Sequence, residues 1–444
     1  MKKLLPFLVI ILINPILSSA QDLLQSGPMV GYSTMREVLL WAQTTEAANV
    51  HFVYYDVEKP KERYKTGVHT TESQNGFVAR LIADNILPGK EYNYELFING
   101  KQITRDYPMK FQSQSLWQWR TDPPEVNFAI GSCNYVNEER FDRPGKPYGS
   151  EHEIFKSIYE KDPDFMLWLG DNTYLREVDW NSRTGFLHRY THTRSLEEMQ
   201  PLLASTHHYA IWDDHDYGPN DSDGSYWLKE TASEIFKLFW GNPNYDVIGK
   251  GGITGTFHWA DLQFFLLDNR YYRTSNRNWT EKREMLGKEQ IDWLINALAS
   301  SRAPFKFIVI GGQVLSTEAG YENHAGFSDE RHYLLQKIRE AKIEGVVFLD
   351  GDRHHTILSS MQENRDVYPL YDLTCSSLTA GANNRKEPLN KNGIEETFVG
   401  QHNFGLLNVS GPRTNRELKI SISDKDGQVL WIRTIRAQDL KYRK

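Results

Sequence analysis

Cysteine is almost missing from this chain: two among 444 residues, Cys133 and Cys375. At most one disulfide can form, so a disulfide-stapled scaffold is excluded. Long apolar runs are missing too. Beyond residue 20 no stretch approaches the length that spans a membrane. Neither sign of charge dominates: 51 Lys and Arg stand interspersed with 58 Asp and Glu, for a net charge of −7. That balance argues against a nucleic-acid-binding surface. There are no internal repeats. What remains, 39% hydrophobic and 25% charged, suits a soluble globular protein of two domains or more.

The first twenty residues read as a secretory leader. Lys2-Lys3 precede an apolar stretch, Leu4 to Leu17, and the small residues Ser18-Ser19-Ala20 follow. Asn14-Pro15 interrupts the stretch, which is too short for an anchor. No cysteine follows it, so a lipoprotein anchor is not indicated. The expectation is a periplasmic or secreted protein beginning near Gln21, with no membrane span.

What the sequence does hold is a set of apolar runs that end in metal-binding side chains. Phe165 to Leu169 has no polar alternation, as in a strand buried on both faces, and it stops at Gly170-Asp171 with Tyr174 three residues on. Val126 to Ile130 runs into Gly131-Ser132-Cys133-Asn134. Tyr209 to Trp212 runs into Asp213-Asp214-His215-Asp216, and Val346 to Leu349 into Asp350-Gly351-Asp352-Arg353-His354-His355. One such ending is a turn with a capping residue. Four of them make a site, because strand ends of an α/β sheet converge on a crevice.

In that order the segments resemble the metallophosphoesterases, and most closely their PhoD-type branch. Gly131-Ser132-Cys133, Gly170-Asp171 with Tyr174, Asp213-Asp214-His215 and Gly351-Asp352-Arg353-His354 are similar to that branch's four motifs. Leu267 to Arg273, Leu286 to Leu294 and Gly326 to Leu335 add matches, so the resemblance runs from about Pro124 to Val409. It implies a four-layer α/β/β/α sandwich, a small β domain in front of it, and hydrolysis of a small-molecule phosphate ester. Phosphate esters react slowly because an anionic electrophile repels the nucleophile. Two cations neutralise the phosphate, ionise water and hold it in line.

The expected metal ligands are Cys133, Asp171, Tyr174, Asp214, Asp352 and His354, with Asp171 bridging. Thiolate and phenolate favour a trivalent or soft metal, which suggests Fe³⁺ at one position. Asp171 and Asp214, with Asn134 or Asn220, form an oxygen-rich set suited to Ca²⁺ or another hard cation. The family's iron–calcium chemistry implies the same split. His215 is expected as the acid for the leaving oxygen, the alternative being a ligand. Asn134, Arg270 and Arg273 are candidates for substrate binding, with structural ion pairs as the alternative for both arginines. Asp213 could orient a ligand or bind calcium, and His355 could stand behind the ligands or on the surface. Cys133 is expected as a thiolate ligand, with a Cys133–Cys375 disulfide as the alternative. Two rivals to the esterase reading are a nuclease and a calcium-stabilised binding protein on the same fold.

The domain expectation is a leader at 1–20, a fibronectin type III-like sandwich at 21–115 and the catalytic domain at 124–444. Val38 to Ala42, Val50 to Tyr55, Gly76 to Ile82 and Tyr92 to Ile98 read as the sandwich's strands. Arg183 to His207 and Ser225 to Trp240 read as helical. The polar stretch Ala380 to Thr397 reads as a mobile loop. Substrate identity and oligomeric state are not encoded in any recognisable pattern.

Overall fold

The computed structural model describes residues 23–279 and 282–443. The expected leader and its cut before Gln21 lie outside the described residues. The four apolar runs are strands. Val126–Gly131, Phe165–Leu169 and His207–Ile211 lie side by side and parallel, and Val346–Asp350 belongs to a second sheet.

The second sheet has six strands: Gly255–Trp259, Leu262–Leu266, Lys306–Val309, Val346–Asp350, Leu370–Thr374 and Ile357–Met361, in that spatial order. The two sheets meet through rings. Phe128 packs against Phe264 at 5.4 Å and Phe307 at 5.5 Å, and Tyr209 stacks on Phe257 at 3.8 Å. Alternation along each strand sends the other side chains outward. Phe165 faces the second sheet, whereas Trp168 meets Phe155 of the helix Ile154–Tyr159 at 5.9 Å. On the far side Trp293 of the helix Lys288–Ser300 lies 6.4 Å from Phe265. Helices thus cover both outer faces of two stacked sheets, an α/β/β/α sandwich. Among the described residues no helix is long and apolar enough to cross a membrane.

The N-terminal residues form a β-sandwich that shares a sheet with the α/β/β/α layers. Leu24–Ser33 pairs in parallel with His207–Ile211 through Val30 and His207, and Val38–Thr44 and Val78–Ala83 extend the sheet to nine strands. Opposite faces of these strands feed different cores. Met29, Trp41 and Val78 join the core of the α/β/β/α layers; Val30, Leu40 and Ala79 pack with Phe52, Tyr54 and Leu96 of the facing sheet. That double duty explains why Val38–Thr44 is buried at every position. Gly31 and Gly241 fasten the junction: a Cβ on Gly241 would stand 2.6 Å from the Gly31 Cα, and Tyr32 N–H donates to the Gly241 carbonyl at 2.8 Å.

Two sequence readings change. The stretch from Arg183 to His207 is not one helix. It holds the helices Arg183–Arg194 and Gln200–Ser205, and His207 opens a central strand. Residues 380–397 are fastened to the site by hydrogen bonds, as described below.

Candidate metal centre

Each strand end turns sharply. Cys133 (φ 60°), Asp171 (52°), Asp352 (66°) and His354 (57°) all adopt the left-handed region, at a cost of about 1–3 kcal/mol each. Backbone hydrogen bonds between neighbouring loops hold them there. Asn134 N–H donates to the Asp171 carbonyl at 2.8 Å, Leu175 to His215 at 3.1 Å, and Gly351 to Gly311 at 3.0 Å. Gly170 must be glycine: its φ is +97°, and a Cβ would stand 2.8 Å from that of Asp213.

The turns gather the predicted donors. One ligand atom each from Cys133, Asp171 and His354 lie within 4.8 Å of one another, and so do those of Asp171, Asp214 and His215. Asp171 belongs to both groups. Asp352 forms a third such group with Asp213 and Asp214. Tyr174 completes the first: its hydroxyl donates to Asp171 Oδ2 at 3.1 Å and lies 3.2 Å from His354 Nε2. His354 Nδ1 faces the Gly381 carbonyl at 2.7 Å, which fixes a proton there and leaves the Nε2 lone pair aimed at the cluster.

The electrostatics suit a cation. Burial, then Asp214 and Cys133, push the Asp171 carboxyl well above the usual range. Burial and then Asp213 do the same to Asp352. The Cys133 thiol is pushed up to about 12 by burial, and Tyr174 is raised by burial and by Asp171. Asp214 is the exception. Burial raises it, but His215 and Arg270 together pull it below the carboxylate range. Asp213 Oδ2 is buried with no partner in the protein. Thiol, phenol and carboxyl donors crowd together here, and Arg270 reaches only the Asp213 and Asp214 side of them, an arrangement that suits a metal site. Cys133 and Cys375 are both free thiols.

Over this cluster opens a cleft of about 700 Å³, whose walls include Asp171, Asp214, His215, Asp352 and His354. Residues 244–420 match the family model described as PhoD-like phosphatase. These residues carry the similarity to PhoD-like phosphatases. The family match contains the final motif, Gly351 to His354; the strand ends at Cys133, Asp171 and Asp214 precede it. Residues 21–116 match a second family model, a domain of unknown function (DUF7800). Alkaline phosphatase D of Bacillus subtilis (strain 168) is 22% identical over 331 residues, 63% of this chain and 53% of that protein. The match thus spans about half the length of that curated relative. In fold the chain is similar to a solved PhoD structure, with a TM-score of 0.74, 18% identity, and coverage of 95% of this chain and 93% of that one. A purple acid phosphatase from yellow lupin (Lupinus luteus) seeds gives a TM-score of 0.68 at 14% identity, covering 94% of this chain and 76% of the lupin one.

Within the phosphatase fold, three residues proposed for substrate binding sit elsewhere. Asn134 is fully buried: its amide donates to the Asn172 carbonyl at 3.1 Å and accepts from Thr379 at 3.0 Å. It is not among the residues that line the cleft. Arg270 and Arg273 are 1% and 2% exposed. Arg270 pairs with Asp213 at 2.6 Å and Glu322 at 3.2 Å, and Arg273 with Glu322 at 3.1 Å. Both are the structural ion pairs that the sequence left open. His355 is buried beside Glu387, 3.5 Å away, behind the ligands.

Sequence reasoning missed several contributors. Tyr148 lies 3.2 Å from His354 Nδ1 and lines the cleft. Glu387 holds Arg353 at 2.6 Å, and Asn383 N–H donates to the His354 carbonyl at 2.7 Å. These last two lie in the polar stretch read as mobile. Asp216, its carboxyl raised to about 8 by burial, accepts from the N–H groups of Asn172 and Asp213 and so ties two strand ends together.

Proposed function

We propose that the protein is an exported, metal-dependent phosphoesterase acting on small phosphate esters. The observation that carries this reading is Asp171, a buried carboxylate common to two donor groups, because a bridging carboxylate sets two cations side by side. Cys133, Tyr174, Asp171 and His354 would hold Fe³⁺, and Asp171, Asp214 and Asp352 would hold Ca²⁺. Bound there, such a pair supplies Lewis acidity to the phosphate and an activated water.

The chain's own part is placement. Gly381 and Tyr148 fix the His354 ring, and Arg270 secures Asp213 beneath Asp214. His215 stands on the cleft wall, its ring stacked on Tyr174 at 4.2 Å and its side chain 22% exposed. Its backbone N–H donates to Asp171 Oδ1 at 3.2 Å, so backbone and carboxylate are held together while the side chain lines the cleft. It protonates the leaving oxygen.

Phosphate release from an alkyl and a nitrophenyl ester, before and after chelation, tests the reading. Chelation should abolish both activities. His215→Ala should keep metal yet slow the alkyl ester by about 10²- to 10⁴-fold, the worth of a placed acid. The nitrophenyl ester leaves without a proton and should slow little. Equal losses, or loss of metal in His215→Ala, would make this imidazole a ligand. Full activity in the chelated protein would overturn the metal reading.

A further inference from the structure

Beside the catalytic cleft lies a second chamber of about 300 Å³, within the range of sites that take a small molecule. Tyr148, His215 and Asn220 line both spaces, so His215 stands in the wall between them. The chamber's other walls are mainly aromatic: Tyr135, Phe141, Tyr174 and Trp180, with Leu175.

Its walls are braced. Asp142 accepts from the Tyr135 hydroxyl at 2.8 Å, from the N–H of Glu138 at 2.6 Å and from Arg176 at 2.9 Å. The Arg176 guanidinium lies over the Tyr135 ring at 3.9 Å, and Tyr135 meets Tyr148 and Tyr174 edge-on or tilted, with ring centres 4.9 and 5.1 Å away. Of these residues, Tyr148 also reaches His354 and Arg176 the Tyr174 carbonyl, whereas Asp142 and the Tyr135 hydroxyl brace the chamber alone. The exposed charged groups in its lining are Arg143, Lys146 and Glu177, two cations and one carboxylate.

We propose that this chamber receives the alcohol half of the ester and selects an aromatic alcohol. The proposal rests on the phosphoesterase reading above. An acid must lie within hydrogen-bond reach of the oxygen that it protonates, so the departing alcohol begins at His215. With phosphate over the carboxylates on one side of that ring, the carbon skeleton is directed to the other side. A planar ring gains most there, because aromatic walls favour offset and edge-on ring contacts.

The test uses the full-length protein as purified. 2-Naphthol binding is followed by ligand-observed NMR, alongside hydrolysis of 2-naphthyl phosphate and ethyl phosphate. Phe141→Ala, remote from the donors, should weaken naphthol binding and raise KM for 2-naphthyl phosphate about tenfold, with ethyl phosphate unchanged within about twofold. Phe141→Leu, a milder change of shape, should give the same pattern at smaller size. Equal effects on both esters, or no naphthol binding to the wild type, would overturn the chamber. Naphthol binding without hydrolysis of either ester would overturn the phosphoesterase reading and leave an aromatic site standing.

Discussion

Replacing Asp171 with Asn should stabilise the metal-free protein and destabilise the loaded one. In the metal-free chain the carboxylate is 1% exposed, with Cys133 Sγ at 3.6 Å and the Tyr174 hydroxyl at 3.1 Å, and with Asp214 as its nearest electrostatic opponent. Asn keeps an oxygen for the His215 N–H and removes the charge. Relief of one buried acid whose ionised form is disfavoured by burial and by Asp214 is worth about 1–3 kcal/mol. In the loaded protein the sign reverses, since a cation at 1,000 times its Kd contributes about 4 kcal/mol, most of which Asp171→Asn forfeits. The assay is urea unfolding of both proteins, with chelator and with metal. A pH series adds a check on sign. Asp171 and Asp352 have folded pKa values above the unfolded range, so the metal-free chain binds more protons when folded. Its stability should fall as pH rises out of the ordinary carboxylate range, and Asp171→Asn should flatten that slope. An Asp171→Asn protein less stable than wild type in both states would mean that this carboxylate is a structural acceptor.

Two further outcomes follow from the same geometry. Loaded protein should show a phenolate-to-Fe³⁺ band in the visible that Tyr174→Phe abolishes while the circular dichroism is kept; a colourless, fully active enzyme containing only zinc or magnesium would refute iron. Acid should weaken the sheet through two histidines. His207 and His208 are fully buried, with pKa values lowered by burial to about 4 and about 3. Each ring has one nitrogen facing a carbonyl, of Gly31 or Leu202, and the other accepting from Gln112 N–H or from Trp168 Nε1. Both are therefore held neutral. The unfolded chain binds the extra protons, so stability is complete above pH 6.5 and falls below it, by about 3 kcal/mol for each ring at pH 4. His207→Gln should remove part of that dependence, and an unchanged pH profile would refute it.

The parts of this structure that were legible in the sequence are those in which one strand carries the whole message. Phe165–Leu169 could be bounded because a strand buried on both faces admits no polar residue, and its end could be located because polarity returns abruptly at Asp171. The docking strand Leu24–Ser33 was not legible. Gly27, Pro28 and Gly31 break its pattern, and its register slips twice between Leu24 and Met29. Asn134 was misplaced because it follows a donor in sequence, and neighbouring side chains diverge at a turn. Arg270 and Arg273 stayed open between phosphate clamp and structural ion pair because their partner, Glu322, lies about fifty residues away. Tyr148 and Gly381 come from loops without periodicity, so nothing local marks them.

The site's donors are costly to the fold on two counts. Four of the gathering residues occupy left-handed backbone, and burial pushes two of their acids, Asp171 and Asp352, well above the usual carboxylate range. Neither cost is met by the donors themselves. It is met by backbone hydrogen bonds between loops and by the aromatic layer of Phe128, Phe165, Phe264 and Phe307, where the strands that carry the donors are clamped between two sheets. The shared N-terminal sheet extends that clamp. Val30 and Trp41 point into different cores, so the sandwich cannot shift without disturbing the strand that ends at Asp213. A strained cluster of acids survives here because the structure around it has few alternatives, and a cation bound as proposed would offset the electrostatic part.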